Sequence, residues 1–257
     1  MENKGFELDG SYLLMNEADK GLDLYFNWAK NENEVTSLAG TEVIFLGTGS
    51  VNSVATVGYP VGSLYGTGSQ TDDGTVDGKL ILDVNGFPQI TSLPMVLGDA
   101  NPDWRGTIGL NARWKNFNMN ILFEHSQGGD YSPRTQWVLR RFGTTEETAG
   151  ALTLDKDYVN FDGDTIAAGT FVRGNIHDFG GGDVLLDEAW YRHGIGGGFG
   201  DNQAYNFAVK DATFSRIKEL SLSYTYSSPA FRERTNLSSI TMRWTARNLF
   251  AWYKELV

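Results

Sequence analysis

The stretch Arg105–Ser126, RGTIGLNARWKNFNMNILFEHS, decides the fold. Its first half sets Ile108, Leu110, Ala112 and Trp114 against Thr107, Gly109, Asn111 and Arg113; its second sets Phe117, Met119, Ile121 and Phe123 against Asn118, Asn120, Leu122 and Glu124. Successive side chains of a strand point to opposite faces, so each half reads as a strand with one oily and one polar side. Only Lys115 and Asn116 separate the halves, which is the length of a tight hairpin turn.

The same alternation recurs at 5–14, 21–30, 213–226 and 238–248. GLDLYFNWAK carries Leu22, Leu24, Phe26 and Trp28 on one face and Asp23, Tyr25, Asn27 and Ala29 on the other. ELSLSYTYS sets Leu220, Leu222, Tyr224 and Tyr226 against Glu219, Ser221, Ser223 and Thr225. SITMRWTARN sets Ile240, Met242, Trp244 and Ala246 against Thr241, Arg243, Thr245 and Arg247. The joins at 15–20, 115–116 and 227–237 are short, whereas 31–104 and 127–212 are long, so short turns and long loops alternate strictly. Connections beyond about 15 residues are uncommon in compact soluble domains. Strands of about ten residues with short turns at one end and long loops at the other are the pattern of an antiparallel transmembrane β-barrel with two extracellular loops.

A soluble sandwich shows the same period of two. Aromatic residues near strand ends (Trp28, Trp114, Phe117, Tyr224, Tyr226, Phe250) suit an interfacial girdle, and Arg113, Arg243 and Arg247 suit a hydrated lumen. The rival is a soluble or surface-attached β-sandwich carbohydrate-binding module, in which the Leu22–Leu24–Phe26–Trp28 face packs on a second sheet. The mean hydropathy of −0.31 fits either, because a barrel strand needs only every second residue apolar. No run approaches the roughly 18 apolar residues of a membrane helix. Cysteine is absent, which excludes disulfides and thiolate metal sites. Met1 is followed by Glu2, Asn3 and Lys4 with a strand already under way, so no signal peptide is expected and the chain reads as cut from a longer polypeptide.

The net charge is −11, and the first long loop supplies most of it: nine acidic residues between Asn31 and Trp104 face one base, Lys79. A nucleic-acid partner is not expected of such a chain. Asp72, Asp73 and Asp77 in TDDGTVDG surround two glycines as a hard cation would prefer, but the EF-hand spacing and closing Glu are missing, and a solvated loop kept soluble by its charge is the preferred reading.

Six stretches in order carry a family resemblance: ENKGFEL with LDLYFNWAKNENEVTSLAG, GYPVGSLYG, DGKLILDVNGFPQ, LGDANPDWRG, FEHSQGGD with DATFSRIKELSLSYTYS, and ARNLFAWYK. The chain resembles the C-terminal part of the SusC/RagA-type TonB-dependent outer-membrane transporters over most of its length. The resemblance implies that residues 1–257 are about six strands of a 22-stranded barrel, without the plug domain, the earlier strands and the final strand. It implies import of nutrients too large for porins, oligosaccharides before peptides, driven by TonB through a region not in this chain. It further implies a SusD-like surface lipoprotein as partner and outer-membrane lipid around the strands.

Within the second loop, Gly180–Gly182, Gly194, Gly196–Gly198 and Gly200 flank Ala189, Trp190, Tyr191, Arg192 and His193. Aromatics beside an arginine can stack on a sugar ring and donate hydrogen bonds to it, which makes Trp190, Tyr191 and Arg192, together with Tyr131, Arg134 and Trp137, candidate substrate contacts. The alternative is that these rings pack against the barrel wall. A catalytic set is not found. His125, His177 and His193 have no metal-ligand spacing, the pairs Asp187–Glu188 and Glu146–Glu147 would point to opposite faces of an extended chain, and GIGGGFG lacks a phosphate loop's strand-and-helix context. No enzyme, cofactor or metal is expected; a secreted glycoside hydrolase is the least favoured reading.

Overall fold

The computed structural model describes residues 1–194 and 204–255. Six long strands form one sheet: β1 (Glu2–Asn16), β2 (Lys20–Glu34), β3 (Trp104–Trp114), β4 (Phe117–Gln127), β5 (Phe214–Tyr226) and β6 (Ile240–Tyr253). Their order in the sheet is their order in the chain, and each neighbouring pair is antiparallel. The expected strands are all present, and β1, β2 and β6 run several residues longer than their alternation indicated. The third short join holds a helix, α3 (Pro229–Thr235), capped by Ser228 Oγ, which accepts from the Phe231 N–H.

Register turns the alternation into a wall. Tyr12 lies beside Leu24, Leu24 beside Leu110, then Ile121, Leu220 and Ala246, so one row crosses all six strands on one face. The next row reads Gly10, Phe26, Ile108, Phe123, Ile217 and Phe250. The 11 residues of β3 extend about 33 Å at about 3.3 Å per residue. At a tilt near 40° they rise about 25 Å, the height of the apolar band of a membrane barrel. Rings gather at both ends of that band: Trp114–Phe117–Tyr224 with centroids 6.4 and 4.7 Å apart at the short-turn end, and Phe6–Trp28–Trp104–His125 at the long-loop end.

No layer of the described residues covers this oily face. Ile108 is 46% exposed and Trp244 56%, and every buried apolar side chain among the described residues lies between Val35 and Tyr205, outside the six strands. The sandwich alternative is thereby corrected, since its second sheet is missing from over Leu22, Leu24, Phe26 and Trp28. No described helix is long and apolar enough to cross a membrane.

The opposite face is wet and cross-linked. Arg216 bonds Glu124 through Nε at 2.6 Å, Lys218 reaches the same carboxylate at 3.4 Å, and Arg247 meets Glu219 at 3.1 Å. Arg113 donates to the carbonyls of Glu17 and Ala18 in the first turn, and Asn120 donates to Asn111 and to the Tyr25 hydroxyl. The Tyr25 ring lies across Gly109, where any Cβ would strike it, so a large side chain on β2 fills the space left on β3. A bulge between Ile217 and Glu219 shifts β5 against both neighbours, and Asn248 opposite it takes a left-handed φ of 51°. In the two-residue turn Lys115 takes φ 52°, as tight hairpins demand.

Leu110→Arg should destabilise the membrane-embedded protein by about 2–4 kcal/mol, whereas Asn111→Arg, one residue along, should cost under about 1 kcal/mol. Denaturant unfolding in lipid vesicles measures both, and the reverse order would exchange the two faces.

Candidate functional site

The two long loops fold together into one cap on one rim of the sheet. The first contributes a four-stranded antiparallel sheet (Val43–Phe45, Asn52–Thr56, Ser63–Gly66, Met95–Gly98). The second contributes α1 (Arg134–Arg141), α2 (Glu188–Arg192) and several short hairpins. Tyr205 N–H donates to the Thr67 carbonyl at 2.7 Å, and Asn206 Oδ1 accepts from both the backbone and the hydroxyl of Ser69. Two apolar clusters draw on both loops: Leu64 and Leu97 with Trp137 and Tyr205, and Phe87 with Val184, Trp190, Tyr191 and Ala204. Trp190 is stacked on Phe87 with centroids 5.6 Å apart.

The cap is anchored to the sheet through carboxylates. The pair Asp130–Tyr131 and Lys210–Asp211 continues β4 and β5 outward, and the Asp130 carboxylate accepts from Asp99 N–H at 2.9 Å. Burial raises the Asp130 pKa, and the nearby carboxylates of Asp211 and Asp99 push the same way. Asp211 is the opposite case: Lys254 Nζ at 2.5 Å and the Thr213 hydroxyl hold its pKa down at about 2.

The six residues read from the sequence separate into two groups. Trp137, Trp190 and Tyr191 are 4%, 3% and 7% exposed, so their rings form the core of the cap. They pack within the cap and not on the barrel wall. Tyr131 is half-buried at the rim, where its hydroxyl donates to the Glu255 carbonyl. Arg134 is exposed at the start of α1, and Arg192 pairs with Glu188 one turn back at 2.7 Å. Asp187 and Glu188 are not on extended chain: Asp187 caps α2 by accepting from Ala189 N–H, and burial raises its pKa. Glu147, in a short 3-10 turn, binds Arg140, whose guanidinium lies 5.0 Å from the Trp137 ring centroid. Asp72 and Asp73 accept backbone N–H groups of their own loop. The glycines at 196–198 and 200 fall outside the described residues.

A cleft of about 250 Å³ opens between α1, α2 and the strand Phe171–Arg173. Tyr191 and Arg192 line it, joined by Arg140, Arg141, Phe142 and Arg173, which sequence reading did not single out. Arg141 donates to the Arg192 carbonyl at 3.1 Å and so ties the two helices. Arg173 and Arg192 follow Arg140 by 33 and 52 residues, which carries no local spacing signal; only the hairpin's return brings Arg173 to the helices. A second concavity of about 680 Å³ lies on the wet face near the short turns, lined by Asp23, Asn111, Arg113, Asn120, Ser223 and Arg243 among others.

Comparison with known proteins agrees with this geometry. No family model matches the chain. It is similar to TonB-dependent receptor P3 of Formosa agariphila at 26% identity, over 62% of this chain and 17% of that receptor. Its fold matches the RagAB peptide transporter with a TM-score of 0.59 at 19% identity, covering 98% of this chain and 26% of that one. The open-open state of the RagAB peptide importer gives 0.60, again at 19% identity, over 98% of this chain and 25% of the other. The chain thus spans about a sixth of the curated relative and a quarter of the structural ones. The sheet and its two capping loops match part of the fold of the RagAB transporter, in line with the resemblance read from the sequence.

Trp190→Ala should cost the cap about 3–5 kcal/mol, read as faster protease cleavage of both long loops while the strands stay protected. Arg192→Ala, which removes an exposed pair, should leave cleavage nearly unchanged. The Asp211–Lys254 contribution is fully present above about pH 4 and is lost as pH falls toward 2, because the folded pKa lies below the ordinary carboxylate value. Acid titration followed by tryptophan fluorescence should show that step in the native protein and lack it in Asp211→Asn.

Proposed function

We propose that residues 1–257 form the C-terminal part of an outer-membrane, TonB-energised importer of nutrients too large for porins. One observation carries this reading: a sheet oily and uncovered on one face, charged and hydrogen-bonded on the other, with both long loops folded into a single cap at one rim. In lipid a sheet satisfies every backbone group only when it closes into a barrel, so this sheet is one sector of a larger wall whose wet face lines the lumen. The cap is then extracellular, and its work is to form the vestibule, contact substrate and meet a SusD-like surface lipoprotein. The named activities of the relatives, a TonB-dependent receptor and a peptide transporter, support transport over catalysis.

Oligosaccharide remains the proposed substrate class, with peptide as the alternative that the structural neighbours favour. The burial of Trp137, Trp190 and Tyr191 moves the sugar contact from those rings to the cap's exposed surface. Arg134 and Arg192 keep the proposed contact role, and Tyr131 keeps it at the rim.

Cells carrying the intact importer should accumulate a fluorescent oligosaccharide of about 1.5 kDa, and accumulation should cease when TonB is deleted or the proton-motive force is dissipated. Uptake indifferent to both would overturn the energised mechanism. A matched peptide probe decides between the two substrate classes.

A further inference from the structure

We infer that the cleft between α1, α2 and the strand Phe171–Arg173 receives an oxyanion group, a carboxylate or sulfate, borne by the incoming nutrient. The inference deepens the import reading and rests on it. The chain is strongly acidic, yet four of the five arginines of the second loop line this one small cleft: Arg140, Arg141, Arg173 and Arg192. Two of them are committed to carboxylates, Arg140 to Glu147 and Arg192 to Glu188. The Arg173 guanidinium has no carboxylate partner among the described residues and stands on the exposed end of its strand.

Its setting suits an oxyanion that presents two oxygens side by side. Arg192 is held by a surface pair to Glu188, which an incoming oxyanion can replace at little cost, because exposed pairs contribute little. Arginine forks match carboxylate and sulfate geometry through two parallel donors. Phe142, at the cleft's lip, is 71% exposed, so an apolar ring lies beside the charge as a flat surface for the part of the ligand that bears the anion. Gly143, next to Phe142, leaves that approach free of a side chain. The cleft floor is rigid: Asp187 caps α2, Asn175 donates to the Glu147 carbonyl at 2.6 Å, and Arg141 bridges to the Arg192 carbonyl. Neutral sugars would use the ring and ordinary hydrogen bonds from the guanidiniums but would lack the charge-assisted gain of an anion.

Binding to the purified intact importer in detergent, followed by calorimetry, tests this with four probes: tetragalacturonate, a sulfated tetrasaccharide, neutral cellotetraose and a glutamate-rich tetrapeptide. The expected result is binding of at least one anionic probe that weakens about tenfold in Arg173→Ala and more in Arg173→Glu, is partly kept in Arg173→Lys, and falls with added salt. Phe142→Ala should weaken a sugar probe more than the peptide. Whichever anionic probe binds names the source of the anion. Equal binding of neutral and anionic probes, or anionic binding unchanged in both Arg173→Ala and Arg173→Glu, would overturn the assignment. If uptake of neutral probes still requires TonB, import survives that failure; if no probe is taken up, the import reading itself is lost.

Discussion

Hydrocarbon has no hydrogen bonds to offer, and the rest of this molecule is arranged around that lack. Each backbone N–H and C=O within the oily band must find its partner on the next strand, which is why five successive antiparallel pairings hold an almost unbroken register. The same constraint removes the need for a conventional core beneath the strands. Apolar side chains face outward in rows, and the charged pairs Arg216–Glu124 and Arg247–Glu219 sit where water can reach them. A folded soluble protein places its large hydrophobics the other way round.

With the strands serving as wall, the ordinary physics of globular folding is moved into the loops. Phe87, Trp190, Tyr191, Val184 and Ala204 form a small core that neither loop could build alone, because Phe87 comes from one and the remainder from the other. Trp137 does the same for Leu64 and Leu97. The shared cores convert two long, entropically expensive connections into one body whose surface can present fixed groups. The cleft between α1 and α2 is one product of that rigidity, since Glu147 alone holds Arg140 by its side chain and Asn175 by its carbonyl.

The wall was legible in the sequence because a strand's period of two is local: Ile108 to Trp114 states its faces without reference to any other segment. Turn lengths were legible for the same reason. The cap was not. Trp190, Tyr191 and Trp137 stand out as aromatics in glycine-rich or polar surroundings, and that pattern fits a ligand platform and a buried core equally well. Only the return of Phe87 and Leu97 from some forty to a hundred residues away decides for the core. Arg173 is silent in the sequence because its neighbours in space, Arg140 and Arg192, are set by a hairpin and two short helices rather than by spacing. The pairs Asp187–Glu188 and Glu146–Glu147 were read on extended chain, whereas each begins a helical turn.

The bulge in β5 reverses the parity of that strand part-way along, so that odd-numbered Ile217 and even-numbered Leu220 both face lipid. Insertions and deletions can therefore accumulate in either long loop during evolution without disturbing the wall. Loss of Lys218 would instead leave Ile217, Glu219 and Leu220 facing Phe123, Leu122 and Ile121 in plain alternation, with Leu220 still on the oily side. What the extra residue supplies is curvature: relatives with and without it would keep the same oily rows and differ in how sharply the wall bends beside Asn248.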